Sequence, residues 1–371
     1  VEQVKHNRQK RAARQRTVGK RALRTSAFVL GVISVLAALA SLAARPAFDL
    51  ITYDLPSVAQ LEALFDADEG ELLKPTEFYD RTGQHLLLSL QPAGLPRVFL
   101  QSVTNPDLAN AFVASQDPDF WTRDSLSLLQ FDQQPQGIAE RLMADLLLAN
   151  EPEGWLRTTR ARILASDAIE RYGKPQILAW ALNSAYFGHW ALGVESAAQL
   201  YFGKSAAQLS LAESALLAAV AQAPALNPFD APELAIEYQH LVLAAMRDQG
   251  MITDQDFVEA FAAPLTFAEP RKFTANDDVQ FALAQLEGAL GSRRVQLGGL
   301  KVITTFDFAL NGLLDPAAQV AVLDPINGQV LALQSGASVS QSPIGSSLVP
   351  FEYLPIFAQG YSPGSLYWDV P

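Results

Sequence analysis

The side chains able to do chemistry are few and scattered. His6, His85, His189 and His240 lie far apart and form no HExxH or HxxxH pair, so no zinc site is expected. There is no cysteine, which excludes a disulfide framework, a thiolate metal centre and a cysteine nucleophile. Carboxylates are common, yet no acidic pair stands out as one that would flank a glycosidic bond, so a glycan hydrolase is not supported.

The frame that must position any site is large enough to be globular. The 371 residues are 49% hydrophobic and 18% charged, which allows two or three units at roughly 100–200 residues each. Charge is unevenly spread. Residues 1–25 hold nine Lys/Arg and one acid, Glu2, for +8, and the whole chain carries −12, so the remainder carries −20. An acidic body of this kind argues against nucleic acid as a partner.

Residues 26–44, SAFVLGVISVLAALASLAA, carry no charge and are bounded by Arg24 and Arg45. As a helix they would extend roughly 28 Å, close to the hydrocarbon thickness of a bilayer. A single uncleaved transmembrane helix is expected here. The stretch is long for a signal-peptide core, and its basic flank speaks against a buried core helix. The basic tail 1–25 should stay cytoplasmic, next to anionic lipid, which places residue 46 onward outside. The first methionine is Met143, so the chain reads as trimmed at Val1, and Trp368-Asp369-Val370-Pro371 reads as cut.

Beyond the span, residues 46–104 read as a linker and short β segment. SVAQLEALF has helical spacing, and Asp80-Arg81-Thr82-Gly83 sits as a turn between two apolar runs. Residues 105–265 read as helical. Ser210 with Glu213 forms a capping box before LAESALLAAVAQA, which Pro224 stops. Asp230 is expected to cap the next helix, Gly250 to follow its end, and Thr253 with Asp256 to open another. Residues 266–298 are a connector with mixed helix. From 299 the period becomes strand-like, with a hairpin around Pro325-Ile326-Asn327-Gly328.

Three stretches carry more than fold class: NAFVASQDPDFW (110–121), YGKPQILAWALNSAYFGHWALGVESAAQLYFGK (172–204) and LSLAESALLAAVAQAPALNP (209–228). Their order and spacing resemble the glycosyltransferase family 51 domain of class A penicillin-binding proteins. That family shows Y-S-K-x-x-I-L-x-x-Y-L-N-x-x-Y-F-G, then Y-F-G-K, L-x-E-A-A-L-L-A and P-x-x-Y-N-P. Residues 299–371, with LKVITTFD, VLDPINGQVLAL and IGSSLVPFEYL, resemble the start of the partner transpeptidase domain. The resemblance implies a mainly α, lysozyme-like domain behind one transmembrane helix, with a partial α/β transpeptidase-like segment after it. It implies bacterial peptidoglycan synthesis: polymerisation of lipid II at the outer membrane face, with lipid II, glycan strands and other cell-wall synthesis proteins as partners.

Residue by residue, the resemblance also implies impairment. The family's first motif, E-D-x-x-F-Y-x-H, falls on Gln116, Asp117, Phe120, Trp121 and Arg123, so the position of the general base is Gln116. An amide can hydrogen-bond a sugar but cannot accept a proton near neutral pH. In the second motif Glu140-Arg141 replaces a glutamine pair and Ala144 replaces a lysine. In the third, Arg157 persists, Thr158 replaces a cation and Ala161 stands for the second glutamate, or Arg162 with a one-residue deletion. No catalytic residue is then intact, and a pseudoenzyme that binds glycan or lipid II, or scaffolds active synthases, is expected, without a cofactor; the alternative is an active peptidoglycan glycosyltransferase with shifted catalytic residues. A divalent metal such as Mg would matter only in an active enzyme. Asp117, Arg157, Asn183 and Tyr186 are the substrate-binding candidates. Asp117, Asp119 and Glu140 are the acids that could replace the base. Ser346 holds the transpeptidase nucleophile position, but Val349 replaces its activating lysine.

Overall fold

The computed structural model describes residues 46, 48–49, 51–66, 68–92, 94–123, 135, 137–270, 276–315, 318–334, 354–360 and 362. The expected span at 26–44, Ser346 and Val349 lie outside the described residues. Among the described residues, no helix is long and apolar enough to cross a membrane.

The chain forms two units. The first takes its described residues from 1–71 and 98–269. Its helices are α1 (Gln60–Leu64), α2 (Pro106–Gln116), α3 (Ile138–Leu146), α4 (Trp155–Tyr172), α5 (Lys174–Ser184), α6 (Val194–Phe202), α7 (Leu211–Gln222), α8 (Pro232–Asp248) and α9 (Asp254–Ala262). The helical character expected for 105–265 is thus observed. Helix α7 begins at the expected capping box, with both Ser210–Glu213 hydrogen bonds present. Its Ala and Leu residues are buried nearly all round, between α2, α8 and α9. Ala111, Ala114, Ala215, Ala218 and Ala219 lie at these contacts, where small side chains let helix backbones approach closely. A second packed group, α3, α4 and α5, lies beside the site.

One further helix start and one helix end follow local rules, and one start does not. Thr253 and Asp256 form the second capping box, and Gly250 takes a left-handed φ of 69° just after α8. Asp230, however, does not cap α8. Pro232 is the first helical residue and offers no N–H, Ala231 is the N-cap, and the Asp230 carboxylate instead accepts from Asn227 Nδ2 at 2.7 Å.

The second unit takes its described residues from 72–97 and 270–371. Strands β1 (Glu77–Tyr79) and β2 (Leu86–Ser89) form an antiparallel hairpin closed by the expected 80–83 turn, where Gly83 N–H donates to Asp80 O at 2.9 Å. Helices α10 (Asp277–Leu290) and α11 (Ser292–Leu297) precede β3 (Lys301–Ile303), which pairs with β1 in parallel. The hairpin read locally as part of a linker therefore belongs to a three-stranded sheet of order β2-β1-β3. After α12 (Phe308–Asn311), β4 (Val320–Leu323) and β5 (Val330–Gln334) form the expected second hairpin. The buried Arg97 guanidinium donates to the carbonyls of Leu72, Lys74, Gln296 and Leu297, tying segments two hundred residues apart.

Candidate functional site

Helix α2 is fixed at its start and delivers its end to the site. Asn105 Oδ1 accepts from the N–H groups of Asp107 and Leu108, and its Nδ2 donates to the carbonyls of Ala206 and Leu209. Pro106 follows at the first helical position. The helix then runs to Gln116, with Asp117 as its C-cap.

Asp117 joins three pieces of chain. Its Oδ1 accepts from Arg123 Nη2 at 2.8 Å, and its Oδ2 accepts from Arg123 Nη1 at 3.4 Å and from Ile138 N–H at 3.1 Å. The buried carboxylate thus also caps the start of α3, where the helix dipole favours negative charge. Gly137 gives this approach room: a Cβ there would lie 3.0 Å from both Arg123 Nη1 and Asp117 Oδ2, which would have to give by a few tenths of an ångström. Gln116 is half-buried, and its carbonyl accepts from Arg141 Nη2 at 3.1 Å. Burial lowers the Arg141 guanidinium, against the pull of Asp117, Asp145 and Glu140.

Beside Asp117 lies a cavity of about 280 Å³. Phe120, Ala139 and Ile169 give it an apolar wall, and Arg123, Glu140, Glu170 and Lys174 give it charge. Lys174 is oriented by the carbonyls of Trp121 and Arg123, at 3.0 and 2.7 Å. Glu140 reaches Arg162 on α4, Oε1 to Nε 3.2 Å, and both side chains are buried. The Ala161–Arg162 step therefore meets the site through a guanidinium, not a carboxylate. Asp119 is exposed and does not line the cavity.

The other substrate-binding candidates are engaged away from the cavity. Arg157 donates to the carbonyls of Ala144 and Leu148, closing the end of α3. Asn183 is buried and clamps Leu100, accepting its N–H at 2.9 Å and donating to its carbonyl at 2.8 Å. Tyr186 sits in a turn, where its hydroxyl accepts from Trp190 N–H and its backbone bridges to Leu192. That turn has positive φ at Gly188, His189 and Trp190. A Cβ at Gly188 would lie 2.8 Å from Pro224 O, so only glycine fits there. Of the candidates, Asp117 alone lines the cavity. Arg123, Phe120, Glu170 and Lys174 join it.

This stretch of helices matches a family model described as transglycosylase, over residues 133–247. That segment is similar to a transglycosylase domain. Penicillin-binding protein 1A of Aquifex aeolicus is 34% identical over 255 residues, 62% of this chain and 34% of the relative. Penicillin-binding protein 2D of Bacillus subtilis is 28% identical over 71% of this chain and 44% of its own length. Penicillin-binding protein 1B of Escherichia coli is 27% identical over 72% and 37%. The chain thus spans about a third to under half of the length of these relatives. A crystal structure of penicillin-binding protein 1A from Haemophilus influenzae aligns with 60% of this chain and 25% of that one, at 22% identity and a TM-score of 0.32. The sequence signal lay in 110–121, which supplies Asp117 and Phe120 to the cavity, and in the helix-rich 172–228 stretch, of which only Lys174 lines it.

Whether the domain's residues suit a divalent metal can be read from its donors. Among the described residues, no group of three His, Asp or Glu side chains is arranged to hold a metal ion. Asp117 and Glu140, the buried carboxylates of the cavity, each lie against a guanidinium. This donor set does not fit a divalent cation.

Proposed function

We propose that the chain is a membrane-anchored, extracytoplasmic transglycosylase-type component of peptidoglycan synthesis that binds lipid II or glycan strands without polymerising them. The observation that carries this reading is the chemistry around Gln116. Sugar attack requires removal of a hydroxyl proton, and a side-chain amide cannot take it. Positioned general bases supply roughly 10²–10⁴-fold in rate. Asp117, the nearest carboxylate in sequence, is committed to Arg123 and to the start of α3. Ala144 and Thr158 stand where the family's pattern has cations, so the domain keeps its helical frame while Asp117, Glu140 and Arg157 are engaged in internal contacts. Binding or scaffolding within the synthetic machinery is the role that remains.

The test uses the purified full chain with lipid II. Glycan polymer is followed by gel electrophoresis, and binding by microscale thermophoresis. Binding without polymer is expected. Polymer formed by the unaltered chain overturns the reading. If that activity disappears in Glu170→Gln, the exposed acid at the cavity has taken over the proton, and the chain is a working glycosyltransferase.

A further inference from the structure

Helices α8 and α9 join in one solvent-facing strip of apolar side chains. The His240 ring on α8 stacks on Phe261 of α9, with centroids 3.7 Å apart and planes at 17°. Phe261 also meets Phe257 at 5.6 Å, and the Arg247 guanidinium lies over the Phe257 ring at 4.6 Å. Ile236 stands one turn before His240, and Val258 one turn before Phe261, so each extends the strip at helical spacing. Val258 is 63% exposed, Phe261 47% and Ile236 37%. Beneath the strip, Leu243, Met246 and Ala260 are buried in the core shared with α7, so it rests on packed helices. Single apolar residues are ordinary on a surface, but a contiguous strip rimmed by charge marks an interaction site.

The rim is acidic. Glu233 lies three residues before Ile236, Glu237 three before His240, and Asp254 four before Val258, all at same-face spacing. From Pro232 to Ala262 the chain carries six Asp/Glu and one Arg, a net −5. That cation, Arg247, pairs with Asp248 at 2.7 Å. Glu233, Glu237 and Asp254 are exposed, and among the described residues none has an ion-pair partner. The same field reaches α2, where burial and then the nearby Asp256 raise the Asp107 carboxyl. An anionic lipid surface or a second copy of this strip would meet repulsion here, whereas a cationic amphipathic segment gains attraction at the rim and apolar burial at the centre. We propose that the Ile236–His240–Val258–Phe261 strip docks a Lys/Arg-rich amphipathic helix of a partner protein. None of these residues lines the cavity beside Asp117, so the docking surface goes beyond the glycan-binding reading and stands whether or not lipid II binds.

The probe is a dye-labelled amphipathic Lys/Leu helix, with its Glu/Leu counterpart as control. Fluorescence anisotropy is read against the full chain in phosphatidylcholine nanodiscs, with the signal of empty nanodiscs subtracted. The Lys/Leu peptide should bind and the Glu/Leu peptide should not. Val258→Ser with Phe261→Ser should weaken binding about tenfold or more. Glu233→Gln with Glu237→Gln should weaken it about fivefold at low salt and flatten its salt dependence. Leu156→Ser, which removes an exposed apolar side chain on α4, should leave it unchanged. Should the serine variant lose its circular dichroism, the glutamine variant decides alone. Equal binding of the two peptides, or variants that bind like the parent, overturns the proposal. Two other occupants have their own signatures. A detergent-solubilised parent that sediments as a dimer, and as a monomer in the serine variant, makes a second copy the occupant. A fluorophore on Val258→Cys, the single thiol in a chain without cysteine, that is quenched by doxyl-labelled lipid makes the occupant a bilayer. Either result overturns the partner helix.

Discussion

The Glu140–Arg162 pair makes the sharpest demand on the fold of the first unit. The two side chains are 5% and 1% exposed, with Oε1 and Nε 3.2 Å apart. At an effective dielectric near 20 their attraction is about 5 kcal/mol, most of which offsets the cost of taking both charges from water. Glu140→Gln keeps the shape but removes the negative charge that faces the buried guanidinium, which should destabilise the unit by about 3–5 kcal/mol. For a unit of this size that is a fall in Tm of roughly 6–20 °C. Replacing both residues, as Glu140→Leu with Arg162→Met, removes both desolvation costs and should recover most of the loss. Urea unfolding followed by tryptophan fluorescence is the assay, because Trp121, Trp155, Trp180 and Trp190 all belong to this unit. A single variant within about 1 kcal/mol of the parent, or a double variant as damaged as the sum of the singles, would refute the account of a buried, mutually dependent pair.

Two further outcomes are expected. Asn183→Ala removes both hydrogen bonds to Leu100 and should cost about 1–3 kcal/mol in the same assay; Asn183→Asp should cost no less, since it sets a carboxylate oxygen against the Leu100 carbonyl. In the second unit, burial alone would raise the Asp80 carboxyl, but hydrogen bonds from Thr82, His85 and the Gln84 N–H hold it well below its ordinary 3.8. With a depressed folded value, its contribution is fully present above pH 3.8 and is lost as pH falls below that. Acid unfolding of the second unit should therefore flatten in Asp80→Asn, and an unchanged acid limb would count against this hydrogen-bond set.

What could be read from the sequence was what is local. The Ser210–Glu213 and Thr253–Asp256 boxes, the 80–83 turn and the β4–β5 hairpin each depend on residues a few positions apart, and each formed as expected. The contacts that build the site are not local. Asp117 meets Ile138 across 21 residues, Glu140 meets Arg162 across 22, and Asn183 meets Leu100 across 83. No periodicity announces such pairings, and so Arg157, Asn183 and Tyr186, which resemblance offered to substrate, are used by helix ends and turns. Asp230 shows the same limit at short range: its type suits a cap, but Pro232 moved the helix start one residue beyond its reach.

The parallel pairing of β1 with β3 has a consequence for how the chain is made. About 212 residues separate the end of the β2 hairpin arm from the strand that completes the sheet. At about 5–20 residues per second, the ribosome needs roughly 10–40 s to supply it. During that interval the nascent hairpin has two bare edges, Arg97 lacks the carbonyls of 296 and 297, and an isolated pair of strands is at best marginal in water. The helical unit, encoded wholly in between apart from its first segment, has time to fold first. Synthesis thus gives the helical unit time to fold before the three-stranded sheet can close.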